Sequence, residues 1–147
     1  IRTRLRRAGR QMDDWPAGHE PVYLSLDDAL EMYAAIIGGT ADEATSQLRS
    51  RPGLEGALAR PETYAHYENA GLALQAAALA HGIAETQPFI DGNKRLALVA
   101  LLTFLEINGV VVQAGDPELA DWIISLSAGT TPADLAERIR AAQLKAR

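Results

Sequence analysis

The run from Asn93 to Asn108 constrains the fold most, because its leucine, valine, phenylalanine and isoleucine side chains leave almost no polar face. A surface helix keeps a polar face toward water, whereas a helix that is apolar all round is buried. The run therefore predicts a buried central helix, which is expected to end at Gly109 in the left-handed conformation. Glu106 and Asn108 interrupt the run before it reaches the roughly 20 residues that span a bilayer, so we expect no membrane partner.

Shorter helices are predicted around this run. Ser25 is placed as an N-cap with two aspartates in the first turn, and the helix that it starts is expected to end at Gly38. Residues 40–52 have no strong periodicity and are expected to form a loop with at most one helical turn. A helix over 53–60 is expected to stop at Pro61, because proline disrupts a helix interior. Further helices are predicted over residues 69–85, from 116 to near 129, and from 131 onward.

These elements predict an all-α protein, a single-domain bundle of about six helices around the central one. The 147 residues, of which 48% are hydrophobic, are enough for one domain with a real core. We expect this domain to span residues 22–141, with residues 1–20 as an N-terminal appendage and 142–147 as a C-terminal tail.

Composition limits the cellular compartments and the kinds of binding partner that we expect for this protein. The chain has no cysteine, which excludes disulfides and thiolate metal sites and permits a reducing cytoplasm, where we expect the protein. Fourteen lysines and arginines against nineteen acidic residues give a net charge of −5. Such a balance is unsuited to an electrostatic nucleic-acid binder, so no nucleic-acid partner is expected.

A polar segment, QPFIDGNKR at residues 87–95, leads into the central helix, and we call it the signature loop. The first N–H groups of a helix lack intrahelical partners and lie at a positive dipole end, which favours a bound anion. Gly92 allows close approach of the backbone to such a ligand, and Asn93 is able to cap the helix. Lys94 and Arg95 add positive charge at the same place, so the loop is a candidate phosphate site.

Asp91 adds a candidate metal ligand to this loop. Mg²⁺ commonly takes one or two protein carboxylates together with phosphate oxygens, and Asp91 is placed for that role. The residues alone leave an equal alternative open, since an Asp-Gly turn, an asparagine cap and two solvated cations also make an ordinary helix start. From residue types and spacing, the loop therefore indicates either a Mg²⁺–phosphate site or a plain helix terminus.

The signature loop resembles that of the Fic/Doc family, whose usual form is H-P-F-x-D/E-G/A-N-G/K-K/R. Lysine after the asparagine is the pattern of the Doc branch, the toxins of toxin–antitoxin pairs. The similarity extends in order over about residues 22–141, through the stretches YLSLDDALEMYAAIIGG, GLEGALARPE, ALAHGIAETQPFIDGNKRLALVALLTFLEINGVVV and ELADWIISLSAGTTPADLAERIR.

The resemblance implies a helical domain that binds ATP with Mg²⁺ at this loop. Asp91 would hold the metal, and Phe89 would anchor the loop inside, where the residues themselves already predict that Pro88, Phe89 and Ile90 pin the loop onto the core. Fic enzymes with glycine after the asparagine transfer AMP to a protein hydroxyl. The Doc branch is associated with phosphate transfer to a threonine of elongation factor Tu, a translation factor, and is neutralised by an antitoxin protein. The residues that would line the phosphate pocket are Gly92, Asn93, Lys94 and Arg95.

The first residue of the loop departs from the family pattern, because Gln87 stands where the general-base histidine is expected. An amide cannot accept and carry away the proton of a target hydroxyl, so the chain is expected to be nearly inactive. His81, Glu85, His66 and His19 are not convincing substitutes. Two explanations stay open: a toxin inactivated at its base, or a silent paralogue that keeps nucleotide or antitoxin binding. An AMP-transferring enzyme is the remaining alternative.

Overall fold

A computed structural model of the chain describes residues 20–143, which form seven helices and no strand. The predicted all-α class is confirmed, with one helix more than expected. Most of the predicted N-terminal appendage and residues 144–147 of the predicted tail lie outside the described residues. No helix in the described part is long and apolar enough to cross a lipid bilayer. The helices are α1 (Leu26–Ile37), α2 (Ala41–Ser46), α3 (Arg51–Glu68), α4 (Leu72–Thr86), α5 (Asn93–Ile107), α6 (Asp116–Ser127) and α7 (Pro132–Ala142).

The most deeply buried helix is α4 rather than α5. Ten of the fifteen residues of α4 are buried, and the helix packs against α3, α5, α6 and α7. Five of those ten are alanines, whose small side chains allow neighbouring helices to approach closely on several sides. The apolar α5 is buried along one side, but Leu98 and Leu102 are only partly buried and Ile107 is 42% exposed. Apolar content alone therefore did not identify the central helix.

The helix stop predicted at Pro61 is wrong, because α3 continues through this residue to Glu68. Proline in a helix interior removes one backbone hydrogen bond and costs about 3 kcal/mol. Pro61 is buried, and α3 packs along α4 over much of its length. This packing offsets the local cost of the proline. No local sequence pattern indicates that the two helices pack in this way.

The segment 40–52 is more ordered than predicted. Thr40 and Glu43 form a reciprocal capping box, in which the Thr40 hydroxyl accepts from the Glu43 N–H and the Glu43 carboxylate accepts from the Thr40 N–H. Such a box stabilises a helix start, and the six residues of α2 follow from it. The signal was present in the sequence as T-x-x-E and was missed.

Two asparagines hold the ends of α5 to other parts of the chain. Asn108, which is completely buried, accepts a hydrogen bond from the Val22 N–H at 2.7 Å and donates one to the Val22 carbonyl at 2.9 Å. Asn93 makes the same two bonds to the backbone of Phe89, at 2.9 Å each. The left-handed Gly109, with φ of 83°, ends the helix as predicted. The signature loop and the segment before α1 are thereby fixed to opposite ends of α5.

Candidate active site

The N-terminus of α5 presents free backbone donors to solvent. Gly92 is the N-cap and has φ of 77°, a conformation that favours glycine, and no side chain caps the helix. The first hydrogen bond of the helix runs from the Leu96 N–H to the Gly92 carbonyl at 3.0 Å. Among residues 20–143, the N–H groups of Asn93, Lys94 and Arg95 have no acceptor. Three orphan donors at a positive dipole end make this helix start a candidate anion site.

Asn93 supports the loop instead of capping the helix, so the predicted cap is wrong. Its amide oxygen accepts from the Phe89 N–H and its amide nitrogen donates to the Phe89 carbonyl. Because the left-handed Gly92 already turns the chain, Asn93 is the first residue inside the helix and its side chain reaches back across the loop. Its side-chain amide is therefore engaged within the protein, and its contribution to a bound phosphate would come from its backbone N–H.

Phe89 anchors the loop in the core. Its ring is completely buried and lies parallel to that of Tyr33, with 3.7 Å between centroids and 8° between planes. The Tyr33 hydroxyl donates a hydrogen bond of 2.8 Å to the Asp91 carbonyl. Burial, and after it the Asp91 carboxylate, raises the pKa of Tyr33, so the hydroxyl stays protonated at neutral pH. Pro88 is buried as predicted, whereas Ile90 is 60% exposed and does not anchor the loop.

The charged side chains of the loop are exposed. Asp91, Lys94 and Arg95 form no ion pair within the described part of the chain. One carboxylate oxygen of Asp91 accepts from the Gly92 N–H at 2.7 Å, which leaves the other available. Residues 20–143 contain no group of three or more acidic or histidine side chains able to hold a metal ion by themselves. A single carboxylate beside a candidate anion site fits Mg²⁺, which would take its remaining ligands from phosphates and water.

Backbone hydrogen bonds join the signature loop to residues 47–50, which we call the support segment. The N–H groups of Arg49 and Ser50 both donate to the Pro88 carbonyl, at 2.7 and 2.9 Å. In the opposite direction, the Ile90 N–H donates to the Gln47 carbonyl at 3.0 Å. Sequence reasoning assigned no role to this part of the chain, because hydrogen bonds between residues far apart in the chain leave no local pattern. The support segment therefore fixes the side of the loop opposite to α5.

Gln87 ends α4 and is the first residue of the signature loop. It is the C-cap residue in a left-handed conformation, with φ of 46° and ψ of 61°. Its side chain is exposed, and in the described structure its amide has no hydrogen-bond partner. Its carbonyl accepts a bond of 3.0 Å from the Arg49 guanidinium. The residue at position 87 is thus held by its backbone, and its side chain is exposed to solvent.

The ionisable residues nearest in sequence are engaged elsewhere. Arg60 on α3 contacts His81 Nδ1 at 3.3 Å and pairs with the Glu85 carboxylate at 2.7 Å. The hydrogen bond from Arg60, and then its charge, hold the pKa of Glu85 below its usual range. His66 lies on α3, where its ring contacts Tyr67 edge-on. Each of these groups thus already contacts a neighbouring side chain, and His19 lies outside the described residues.

Comparison with known proteins places this site in a family. The sequence profile of the Fic/DOC family matches residues 23–105, which include the whole signature loop. The chain belongs to the Fic/Doc family. A protein named Toxin Doc from Mycolicibacterium smegmatis is 36% identical to it over 94 residues, which is 63% of this chain and 68% of that protein. All candidate site residues of this Fic/Doc domain lie within the matched region, whereas α6 and α7 lie beyond it.

Proposed function

We propose that this protein is a Doc-type transferase that binds Mg²⁺-ATP at the start of α5 and transfers phosphate to a hydroxyl of a translation factor. By family resemblance, that factor is elongation factor Tu. The observation that supports the proposal best is the free N-terminus of α5, where three orphan N–H groups stand beside two unpaired cations. The loop carrying them is tied down on both sides, so the donors are preorganised for a charged ligand.

Each loop residue has a distinct part in this proposal. The backbone donors and Lys94 hold phosphate oxygens, and Arg95 is able to clasp two oxygens at once. Asp91 holds Mg²⁺, which neutralises charge on the phosphates when it is bound. Lys94 takes the place of the small glycine of AMP-transferring loops, which favours a nucleotide pose that presents the terminal phosphate.

Position 87 decides the rate. In the proposed step, the target hydroxyl oxygen bonds to the terminal phosphorus, the bond from that phosphorus to ADP breaks, and the hydroxyl proton passes to the residue at position 87. Gln87 cannot take this proton, and loss of a general base removes about 10²–10⁴ of rate. This chain is therefore a transferase with an intact binding site and little activity.

The free but inert amide of Gln87 also favours a second candidate, a silent paralogue that binds nucleotide without chemistry. The name of the Mycolicibacterium smegmatis relative points to a toxin. We propose accordingly that an antitoxin protein binds this chain, in the cytoplasm. If so, co-expression of the neighbouring antitoxin gene should relieve growth arrest caused by a Gln87→His variant.

Labelled ATP distinguishes the candidates. The Gln87→His protein is incubated with elongation factor Tu and ATP labelled either at the γ-phosphate or in the adenine ring. The proposal predicts that only the γ-label reaches the factor. Transfer of the adenine label would instead assign the AMP-transferring reaction. Retained Mg²⁺-ATP binding with no transfer of either label would favour the silent paralogue.

A further inference from the structure

The peptide unit between Asp91 and Gly92 is held at both ends. Its carbonyl, on Asp91, accepts the hydrogen bond of 2.8 Å from the Tyr33 hydroxyl. Its N–H, on Gly92, donates to the Asp91 carboxylate at 2.7 Å. Because a peptide unit is planar, fixing the carbonyl also fixes the direction of the N–H. The orientation of the Asp91 carboxylate therefore depends on a hydroxyl that lies outside the signature loop.

We propose that Tyr33 is a positioning residue that orients Asp91 for Mg²⁺, an inference that rests on the function proposed above. Without the hydroxyl, the peptide unit would be free to rotate, because glycine at position 92 restricts the backbone least. The Tyr33 ring lies directly against this glycine, so that a Cβ built on Gly92 would be 3.5 Å from Tyr33 Cε1. The Tyr33 ring also stacks on the Phe89 ring, and a phenylalanine at position 33 would keep that contact.

A second tyrosine provides a matched control. The Tyr23 ring stacks on that of Phe104 with 5.9 Å between centroids, and the Tyr23 hydroxyl donates a hydrogen bond of 2.9 Å to the side-chain oxygen of Gln75. Neither Phe104 nor Gln75 belongs to the signature loop. Removing the Tyr23 hydroxyl leaves the completely buried Gln75 short of a donor, which destabilises the fold without touching the site. Comparing Tyr33→Phe with Tyr23→Phe thereby separates an effect on Asp91 from a general loss of stability.

The experiment uses the chain with Gln87 in place, so that it does not depend on catalysis. Calorimetry gives the affinity for ATP over a series of Mg²⁺ concentrations and in EDTA. Tyr33→Phe should raise the Mg²⁺ concentration for half-maximal binding by about 2- to 10-fold, the range for one hydrogen bond. It should leave binding in EDTA unchanged, and Tyr23→Phe should change neither value. In an Asp91→Asn background, Tyr33→Phe should have no further effect on the Mg²⁺ dependence.

The outcomes separate this inference from the proposed function. If the parent protein binds ATP with the expected Mg²⁺ dependence and Tyr33→Phe matches it, the inference is wrong and the proposed function stands. Equal shifts in Tyr33→Phe and Tyr23→Phe, or a full further shift in the Asp91→Asn background, would also overturn the inference. Absence of Mg²⁺-dependent ATP binding in the parent would overturn both.

Discussion

Replacing Asn93 with alanine should destabilise the protein and weaken nucleotide binding together. Its side-chain amide holds the Phe89 backbone through two hydrogen bonds of 2.9 Å, and no other described side chain bonds to that backbone. The substitution leaves helix propensity in α5 intact, since alanine is the best helix former. Its effects therefore report the loss of the contact between α5 and the signature loop.

The magnitude follows from these two bonds. A hydrogen bond contributes about 0.5–1.5 kcal/mol net, so Asn93→Ala should lower the free energy of unfolding by about 1–3 kcal/mol. With a typical urea dependence of about 2 kcal/mol per M, the unfolding midpoint should fall by about 1 M. The affinity for Mg²⁺-ATP should fall as well, because residues 88–92, which include Asp91 and lead into the backbone donors of α5, lose this attachment to the helix.

Urea unfolding and calorimetry measure both effects, and Asn108→Ala is the control. Asn108 makes the same pair of bonds to Val22 at the far end of α5, together with one to the Phe104 carbonyl. Its replacement should cost at least as much stability and leave ATP affinity unchanged while the protein is folded. The reasoning would be refuted by unchanged ATP affinity in folded Asn93→Ala, or by equal losses of affinity in the two variants.

Three further predictions concern residues outside the signature loop. In a Gln87→His background, Arg49→Ala should lower the rate of phosphate transfer and change ATP affinity less than about 2-fold. The reason is that the Arg49 guanidinium bonds the carbonyl of residue 87 and, in the part of the chain that the structure describes, has no bond to the start of α5. Gly82→Ala should lower the thermal midpoint of unfolding, because the added Cβ would lie 3.1 Å from the α3 backbone. Gly56→Ala is the control: position 56 has open space around it, so this variant should raise the free energy of unfolding by about 0.5–1 kcal/mol. The pKa of Tyr33 is raised above the ordinary 10.0, so the tyrosine ionises at a lower pH in the unfolded chain than in the folded one. Its contribution to stability is therefore complete below pH 10.0 and is lost as the pH rises above that value. In urea unfolding over this alkaline range, Tyr33→Phe should make the fall of the midpoint with pH less steep.

Features written in local sequence were predictable. Ser25 with Asp28 forms the capping box that starts α1, and Pro88 follows the end of α4 closely. The loop motif indicated the family and the residues that lie at the start of α5. It also showed that glutamine replaces the expected histidine at position 87. Each of these rests on residues within a few positions of one another, which is the range over which propensity and capping act.

Features that depend on distant contacts were not predictable from one sequence. Pro61 stays helical because α3 packs along α4, and α4 lies at the centre because its alanines admit several neighbours. The roles of Arg49 and Tyr33 arise from contacts 38 and 58 residues away along the chain. A sequence pattern shows which side chains are available, but only the fold shows which of them meet the loop.

The initial rate of γ-phosphate transfer to elongation factor Tu, measured for the parent and for Gln87→His, tests the central claim most directly. Both proteins should bind Mg²⁺-ATP with the same affinity, because the Gln87 side chain is exposed and bonds to none of the proposed phosphate-binding groups. The account predicts that the histidine variant transfers phosphate about 10²–10⁴ times faster than the parent. Equal rates in two folded proteins that bind ATP equally well would contradict it.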